Sequence, residues 1–232
     1  MEKLIKGFVL LMFAVLLTAV VSCGTSYGEL GHGEDSSAER VIIIDPAHGG
    51  RDPGAIAAFV IDGKKIDLKE SDITLGIGTA LREKLLLAYP DIKVVLLRED
   101  DVTLSVKERM NQVNSRKLNA NETPVYISIH TKYNFNANIR GYGLFVNNGN
   151  NNAESLRLAN ALRLGFSGTY GEMPFLGIFQ GDFPAPYMPG VMLEIGNMNN
   201  SEDILLLNDS HAFERYADAI LKGINAYYTE NK

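Results

Sequence analysis

Residues 41–50 read Val41-Ile42-Ile43-Ile44-Asp45-Pro46-Ala47-His48-Gly49-Gly50, and this stretch decides how the chain folds. Four β-branched apolar residues lead directly into a loop with proline and glycine. An uninterrupted apolar run that ends in such a loop is typical of a buried strand in a parallel sheet. The residues that follow such a strand lie at its carboxyl end, where open α/β sheets bind their ligands. His48 is therefore a candidate functional residue, and Gly49 and Gly50 allow a close approach of the backbone.

Two other apolar runs end at side chains that can bind a metal or take part in catalysis. Residues 124–129 (PVYISI) precede His130, and residues 191–193 (VML) precede Glu194. If these strands are parallel neighbours of the first, His48, His130 and Glu194 converge on one edge of one sheet.

The first 22 residues resemble a bacterial lipoprotein signal peptide. Lys3 and Lys6 precede an apolar run over residues 7–21, which is too short to predict a membrane-spanning helix. The run closes on Val-Val-Ser-Cys, and small residues before the only cysteine, Cys23, resemble a lipobox. We expect Cys23 to be lipidated and to become the mature N-terminus, with two or more acyl chains as a stable membrane anchor. An ordinary secretory signal with an incidental cysteine is the alternative.

Charge and cysteine usage exclude two classes of function. With Cys23 lipidated, no thiol remains for a disulfide or a redox site. The chain has 22 Lys+Arg and 28 Asp+Glu, a net charge of −6. Removal of residues 1–22 takes away two lysines and one glutamate and leaves 20 basic and 27 acidic residues, a net charge of −7. A nucleic-acid-binding protein needs a basic surface, so no nucleic-acid partner is expected.

Residues 23–40 are predicted to be the lipidated cysteine and a flexible tether. They are rich in Gly, Ser and Glu and almost free of apolar residues. His32 is interpreted as a solvated histidine of this tether. Gly24 stands where an aspartate would act as an inner-membrane retention signal. We therefore expect an exported protein, lipid-anchored in the cell envelope, at the outer membrane facing the periplasm if the host has two membranes.

Residues 41–232 alternate strands and helices, which is the α/β signature. The predicted strands are 41–44, 92–97, 124–129, 141–146 and 191–193, with a hairpin over 56–68 around Asp62-Gly63. The predicted helices run from Ser71 or Asp72 to Tyr89, from Thr103 or Ser105 to about Leu118, and over 153–166, 202–207 and 211–228. Residues 168–190 are rich in Gly, Pro and aromatics and are expected to be irregular.

His48, Glu70 and His130 together have the chemistry of a catalytic zinc site. Two imidazoles and a carboxylate leave a fourth position for water, whose pKa zinc lowers towards 7. A separate carboxylate must then take a proton and pass it to the leaving nitrogen, and Glu194 is the candidate. Taken singly, each residue also has a structural interpretation: a loop histidine, a strand-end histidine, an acidic residue at a helix start, or a buried ion pair.

These residues fall in a longer series of motifs that resembles a known enzyme family. The series is Asp45 to Gly50, Asp52-Pro53-Gly54-Ala55, Glu70, Leu97-Arg98, Glu108-Arg109, Asn114, Ser128-Ile129-His130 and Leu193-Glu194-Ile195-Gly196. It is similar, from Val41 to Tyr228, to the zinc-dependent N-acetylmuramoyl-L-alanine amidases of the amidase 3 type, which hydrolyse peptidoglycan.

The resemblance implies an α/β fold: one three-layer, phosphorylase/hydrolase-like domain with a twisted, mixed, mostly parallel sheet and helices on both faces. It implies one Zn²⁺ held by His48, Glu70 and His130, with Glu194 as the catalytic carboxylate. The bond cut would be the amide between N-acetylmuramic acid and L-alanine of the stem peptide. A zinc peptidase or other amide hydrolase on the same fold, and a non-catalytic wall-binding lipoprotein, remain alternatives.

Several positions depart from the family pattern. Ala47 replaces a usual Gly, and Thr74 replaces a frequent Asn. Thr131-Lys132 follows the second histidine where a small residue and Asn are usual. Lys132 is a candidate substrate-binding residue for a carboxylate of the stem peptide, with a solvent-facing side chain as the alternative. The loop at 197–200 also differs. These departures leave the ligand set intact and the substrate preference open.

Some members of the family carry an inserted helix between the second metal histidine and the strand of the catalytic glutamate, which closes the cleft until an activator withdraws it. Residues 131–190 are predicted to hold a single helix, and prolines at 174, 184, 186 and 189 disfavour another. We therefore expect an open cleft and no requirement for an activator protein. His211, at the start of the last helix, is expected to be a surface histidine.

Overall fold

The computed structural model describes residues 38–149, 151–167, 173–182 and 184–229. The predicted signal peptide, Cys23 and His32 lie outside the described residues. Ser37–Lys232 form one compact unit. In the described ranges no helix is both long and apolar enough to cross a membrane.

The described ranges contain eight strands and five helices, and strands and helices are interspersed along the chain. The strands are β1 (Glu39–Pro46), β2 (Ile56–Ile61), β3 (Lys64–Lys69), β4 (Lys93–Leu96), β5 (Glu122–Lys132), β6 (Tyr142–Asn147), β7 (Phe175–Gly181) and β8 (Gly190–Asn197). The helices are α1 (Glu70–Ala88), α2 (Val106–Asn114), α3 (Asn152–Phe166), α4 (Ser201–Leu207) and α5 (Ala212–Thr229).

Six of the strands form one mixed sheet in the order β4-β1-β5-β8-β6-β7, and β2 and β3 form a separate antiparallel hairpin. Only the β8–β6 pairing in the large sheet is antiparallel. The three strands predicted to carry the site, β1, β5 and β8, are adjacent and parallel. The prediction of a mostly parallel mixed sheet in an α/β domain is confirmed.

Both faces of β1 are buried, which explains its uninterrupted apolar sequence. Ile42 and Ile44 face the larger core, to which α1, α3 and α5 contribute, while Val41 and Ile43 face a smaller cluster with Val113 of α2. Alternate residues of a strand point to opposite faces, so a strand covered on both sides needs apolar residues at every position.

Three predictions of local structure need correction. Residues 168–190 are not wholly irregular, because β7 pairs in parallel with β6; the prolines lie outside this edge strand, where they remove no ladder hydrogen bond. Helix α1 begins at Glu70 after Lys69, without a side-chain cap from Ser71 or Asp72. Helix α2 ends at Asn114, well before Leu118. The alternative start at Ser105 is confirmed, since Ser105 and Glu108 form a capping box.

The strands β5 and β8 extend beyond their predicted ends. His130 lies two residues before the end of β5, and Glu194 lies three residues before the end of β8. Both side chains therefore project from the sheet itself, where their mutual position is set by strand register.

Candidate metal centre and catalytic carboxylate

Two buried arginines hold the loop that carries His48. Arg109 donates to the carbonyl oxygens of Pro46 at 2.8 Å and His48 at 2.7 Å. Arg98 donates to the carbonyl oxygens of Pro46 and Ala47, each at 2.9 Å. Pro46 is the last residue of β1 and the other two carbonyls lie beyond it, so the guanidinium groups supply donors where the sheet ends. The loop backbone is thereby fixed, including His48 in the left-handed region at φ 59°.

The glycines of this loop are required by close contacts within the chain itself. A Cβ on Gly49 would lie 2.3 Å from the carbonyl oxygen of Val102. A Cβ on Gly54 would lie 2.6 Å from His48 Cδ2 and 2.7 Å from Glu70 Oε2. The close approach predicted at Gly49 is therefore to the backbone of Val102. Ala47 is buried and does not have a positive φ, so the extra methyl group fits.

Glu70 is buried at the first position of α1, and two backbone amides bind its carboxylate. The N–H of Ala55 donates to Oε2 and the N–H of Thr131 donates to Oε1, each at 2.9 Å. The same two oxygens lie 3.3 Å from His48 Nε2 and 3.1 Å from His130 Nδ1. Glu70 therefore bridges the two histidines, as the predicted ligand set requires.

The electrostatics of the cluster follow from this bridging. Burial would raise the pKa of Glu70, but the hydrogen bonds with His130 and His48 outweigh it and hold this pKa well below its usual range. The hydrogen bond with Glu70 raises the pKa of His48 despite partial burial. The cluster thus keeps a full negative charge between two nitrogen ligands.

Asp52 orients the ring of His48 from outside the cluster. Its Oδ2 lies 2.9 Å from His48 Nδ1, and its Oδ1 accepts from the N–H of Gly54 at 3.1 Å. The hydrogen bond with His48 lowers the pKa of Asp52. With zinc bound, a neutral His48 that donates from Nδ1 to Asp52 would keep the lone pair of Nε2 for the ion, the arrangement expected of a metal-ligating histidine.

The donor set fits a single zinc ion. One ligand atom from each of His48, Glu70 and His130 can be chosen so that all lie within 4.8 Å of one another, with no ion present. Two imidazole nitrogens and one carboxylate oxygen are a ligand set of catalytic zinc. Thr74, which replaces the usual Asn, donates to the carbonyl oxygen of Ala47 at 2.8 Å and so supports the same loop.

Glu194 is the neighbour of His130 across the sheet. The two residues are register partners in the parallel pairing of β5 and β8, so their side chains leave the same face side by side. Glu194 is not enclosed by apolar groups. Its Oε2 lies 3.0 Å from Nζ of Lys132, and about a fifth of each side chain is exposed, 21% for Glu194 and 19% for Lys132.

The Lys132–Glu194 ion pair was not predicted from sequence. The signal was present, because residues i and i+2 of a strand share a face, which puts Lys132 beside His130. His211 lies outside the cluster and is exposed, which confirms the prediction of a surface histidine.

Comparison with known proteins identifies the family. A family model described as N-acetylmuramoyl-L-alanine amidase matches residues 42–226. The chain belongs to this amidase family. The germination-specific N-acetylmuramoyl-L-alanine amidase of Bacillus subtilis (strain 168) is 28% identical over 207 residues, which cover 82% of this chain and 81% of that protein.

Solved structures of amidases share the fold. The catalytic domain of the amidase CwlV from Paenibacillus polymyxa has a TM-score of 0.68 and 28% identity, covering 82% of this chain and 98% of that one. An amidase from Clostridium difficile 630 has a TM-score of 0.70 and 25% identity, covering 85% and 100%. The CwlD amidase of Clostridioides difficile, solved in complex with the GerS lipoprotein, has a TM-score of 0.70 and 25% identity, covering 82% and 98%.

Proposed function

We propose that this amidase-family protein hydrolyses peptidoglycan at the amide bond between N-acetylmuramic acid and L-alanine of the stem peptide, with one zinc ion. The observation that carries the proposal is the convergence of His48, Glu70 and His130 on one point beside Glu194. A ligand set with an adjacent, partly exposed carboxylate has the composition that metal-assisted amide hydrolysis needs.

The residues of the site have separate roles in this proposal. His48, Glu70 and His130 would hold a zinc ion. When bound, zinc would act as a Lewis acid and lower the pKa of water, so that a nucleophile is available near neutral pH. Glu194 accepts the proton of the attacking water and returns it to the amide nitrogen as the carbon–nitrogen bond breaks. Asp52 fixes the orientation of His48, and the two buried arginines fix the loop on which His48 lies.

The proposal also covers where the enzyme acts. We place residues 1–22 as a lipoprotein signal peptide, followed by the lipidated Cys23 and the tether. The predicted boundary between residues 40 and 41 needs correction, because strand β1 begins at Glu39, and the catalytic domain therefore includes Glu39 and Arg40. The anchor would hold the exported domain at the membrane, the outer one in a host with two membranes. The domain is proposed to act without an activator protein, because α3 is the only helix described between β5 and β8.

A digestion experiment tests the proposal. Purified residues 37–232, which include all of β1, are incubated with intact sacculi, with and without a chelator, and the products are analysed by mass spectrometry. Soluble stem peptides with new L-alanine N-termini, lost on chelation and restored by zinc, are expected. Cleavage only within the peptide would instead indicate a zinc peptidase. Binding to sacculi without release of peptide by zinc-loaded protein would indicate a wall-binding lipoprotein.

A further inference from the structure

Lys132 is the feature of the site that the zinc chemistry does not use. Its ammonium group lies 3.0 Å from the carboxylate of Glu194 and 5.9 Å from the ring centroid of Phe145. We propose that Lys132 is a specificity-determining residue that binds a free carboxylate on the peptide side of the scissile amide. This inference rests on the proposed function and names the class of stem peptide that the site prefers.

The backbone of Lys132 is fixed on both sides. The N–H of the preceding residue, Thr131, donates to Glu70 Oε1 at 2.9 Å, and the carbonyl oxygen of Lys132 accepts from the N–H of Met198 at 2.7 Å. The side chain therefore starts from a defined point next to the metal ligands. A side chain that starts from a fixed backbone binds a substrate group only at a defined distance from the cluster.

The alternation of β5 directs the Lys132 side chain to the face that carries His130. Glu194 leaves the same face as the register partner of His130, and the ammonium lies at its carboxylate. Opposite this point β8 has a bulge: Lys132 pairs with Asn197, so β8 has one more residue than β5 between the two pairs, and the extra length includes Gly196 at φ 69°.

The ammonium retains capacity for a substrate oxygen. It has three N–H donors, and Glu194 Oε2 accepts one. The side chain is 19% exposed, so a ligand can reach it, and ion pairs open to solvent are weak enough to be shared with a second carboxylate. A carboxylate bound there would make a hydrogen bond between two charged groups. A carboxamide oxygen is a neutral acceptor, so its hydrogen bond with the ammonium would be weaker.

This geometry predicts a preference within one substrate class. The site should favour stem peptides whose second residue has a free carboxylate over those in which that group is a carboxamide. The two compounds N-acetylmuramoyl-L-alanyl-γ-D-glutamyl-L-lysine and N-acetylmuramoyl-L-alanyl-D-isoglutaminyl-L-lysine differ only in this group, because in both of them the γ-carboxyl of the second residue is linked to lysine. We expect wild-type kcat/KM to be higher for the acid by about tenfold, the effect of one hydrogen bond between charged groups.

The decisive test compares both substrates in three variants. Lys132→Met keeps the length and apolar stem but removes the charge, and it should abolish the preference mainly by lowering kcat/KM for the acid. Lys132→Arg should restore a preference for the acid. Lys117→Met, at an exposed lysine outside the site, is the matched control and should behave as wild type. Thermal unfolding and zinc content of each variant show whether its fold and metal site are retained.

A binding measurement separates recognition from catalysis. In the Glu194→Gln background, calorimetry with the tripeptides L-alanyl-γ-D-glutamyl-L-lysine and L-alanyl-D-isoglutaminyl-L-lysine should again show tighter binding of the acid, and Lys132→Met should remove the difference. An unchanged acid-to-amide ratio in Lys132→Met, or an equal loss on both substrates in a folded, zinc-loaded variant, would overturn the inference. If wild-type protein cleaves neither these substrates nor sacculi, the proposed function itself fails.

Discussion

Glu194 lies directly opposite His130 in the parallel pairing of β5 and β8. His130 belongs to the proposed zinc ligand set and Glu194 is the proposed proton carrier. Because they are register partners, the sheet fixes the separation of their backbones. Because the backbone hydrogen bonds of two central strands define this register, the relationship does not depend on loop conformation.

The first prediction concerns Glu194 as the proton carrier. Glu194→Gln keeps the shape of the side chain but removes the base, and it should lower kcat by about 10²–10⁴. Zinc content and the unfolding temperature should stay close to wild type, because Glu194 is outside the ligand set. Turnover on a soluble muropeptide is the measurement. Glu83→Gln, at an exposed glutamate of α1, is the control. Normal turnover by folded, zinc-loaded Glu194→Gln would remove Glu194 from the mechanism.

The second prediction concerns Asp52, which touches His48 but not the proposed metal position. Asp52→Asn weakens the acceptor at 2.9 Å from His48 Nδ1 and should lower zinc affinity about 10–100-fold. Competition with a chromogenic chelator measures this affinity without any substrate. Asp91→Asn, on the exposed surface, should leave the affinity unchanged. Equal affinities in Asp52→Asn and wild type would mean that the loop alone orients His48.

The third prediction concerns the buried pair Asp45–Arg109, which supports the His48 loop. Arg109 donates to Asp45, which also accepts from Tyr126, and the exposed fractions of Arg109 and Asp45 are 6% and 2%. Arg109→Met would leave Asp45 buried without its cation. The free energy of unfolding should fall by about 3–5 kcal/mol, measured by urea denaturation.

A double variant distinguishes loss of the pair from loss of packing. Asp45→Asn combined with Arg109→Met removes both charges, and it should be less destabilised than the sum of the single variants. Additive losses would show that the two side chains act independently.

Patterning in the sequence was sufficient to predict the strands that carry His48, His130 and Glu194. Their convergence was conditional on the three strands being parallel neighbours, and in the structure they are adjacent and parallel. Periodicity is informative there because these strands are buried on both faces. The resemblance added Glu70, whose position at a helix start has a simpler structural explanation when it is taken alone.

The features that sequence did not reveal depend on contacts between distant segments. The Lys132–Glu194 pair arises from strand register, which a single strand does not encode. Strand β7 was missed because an edge strand flanked by prolines lacks the long apolar run of a central strand. The two arginines that bind the His48 loop lie 50 and 61 residues after His48 in the sequence, and only the folded chain brings them to its carbonyl groups.

The fourth prediction concerns the anchor, which lies outside the described residues. Cys23→Ala in the full chain should prevent incorporation of a labelled fatty acid and impair signal processing. Ser26→Ala, three residues further on, should be labelled normally. Activity of the separately expressed domain, residues 37–232, should not depend on Cys23, since that domain does not contain the cysteine. Fatty acid on the Cys23→Ala protein would refute the lipobox interpretation.

The fifth prediction concerns access to the cleft. Helix α2 packs on the face of the sheet that carries Val41, Ile43 and Tyr126, and Glu194 projects from this same face further along the sheet. Near Glu194 the face carries Phe145 stacked on Phe179, whose side chain is 41% exposed. In the described ranges this part of the face has no helix over it. A substrate can therefore reach Glu194 without displacement of a described helix.

Residues 37–232 alone should accordingly release stem peptides from sacculi at a rate that no second protein increases. The CwlD amidase was solved with the GerS lipoprotein, so the assay has a direct contrast in a related chain. The measurement is muropeptide release by zinc-loaded domain, alone and with an extract of the host envelope. A Phe179→Ala variant tests the open face separately: it should weaken binding to sacculi while zinc content stays unchanged, because Phe179 lies on β7, away from the ligand set. A zinc-loaded domain that is inactive until a second protein is added would show that the cleft is closed in the free enzyme.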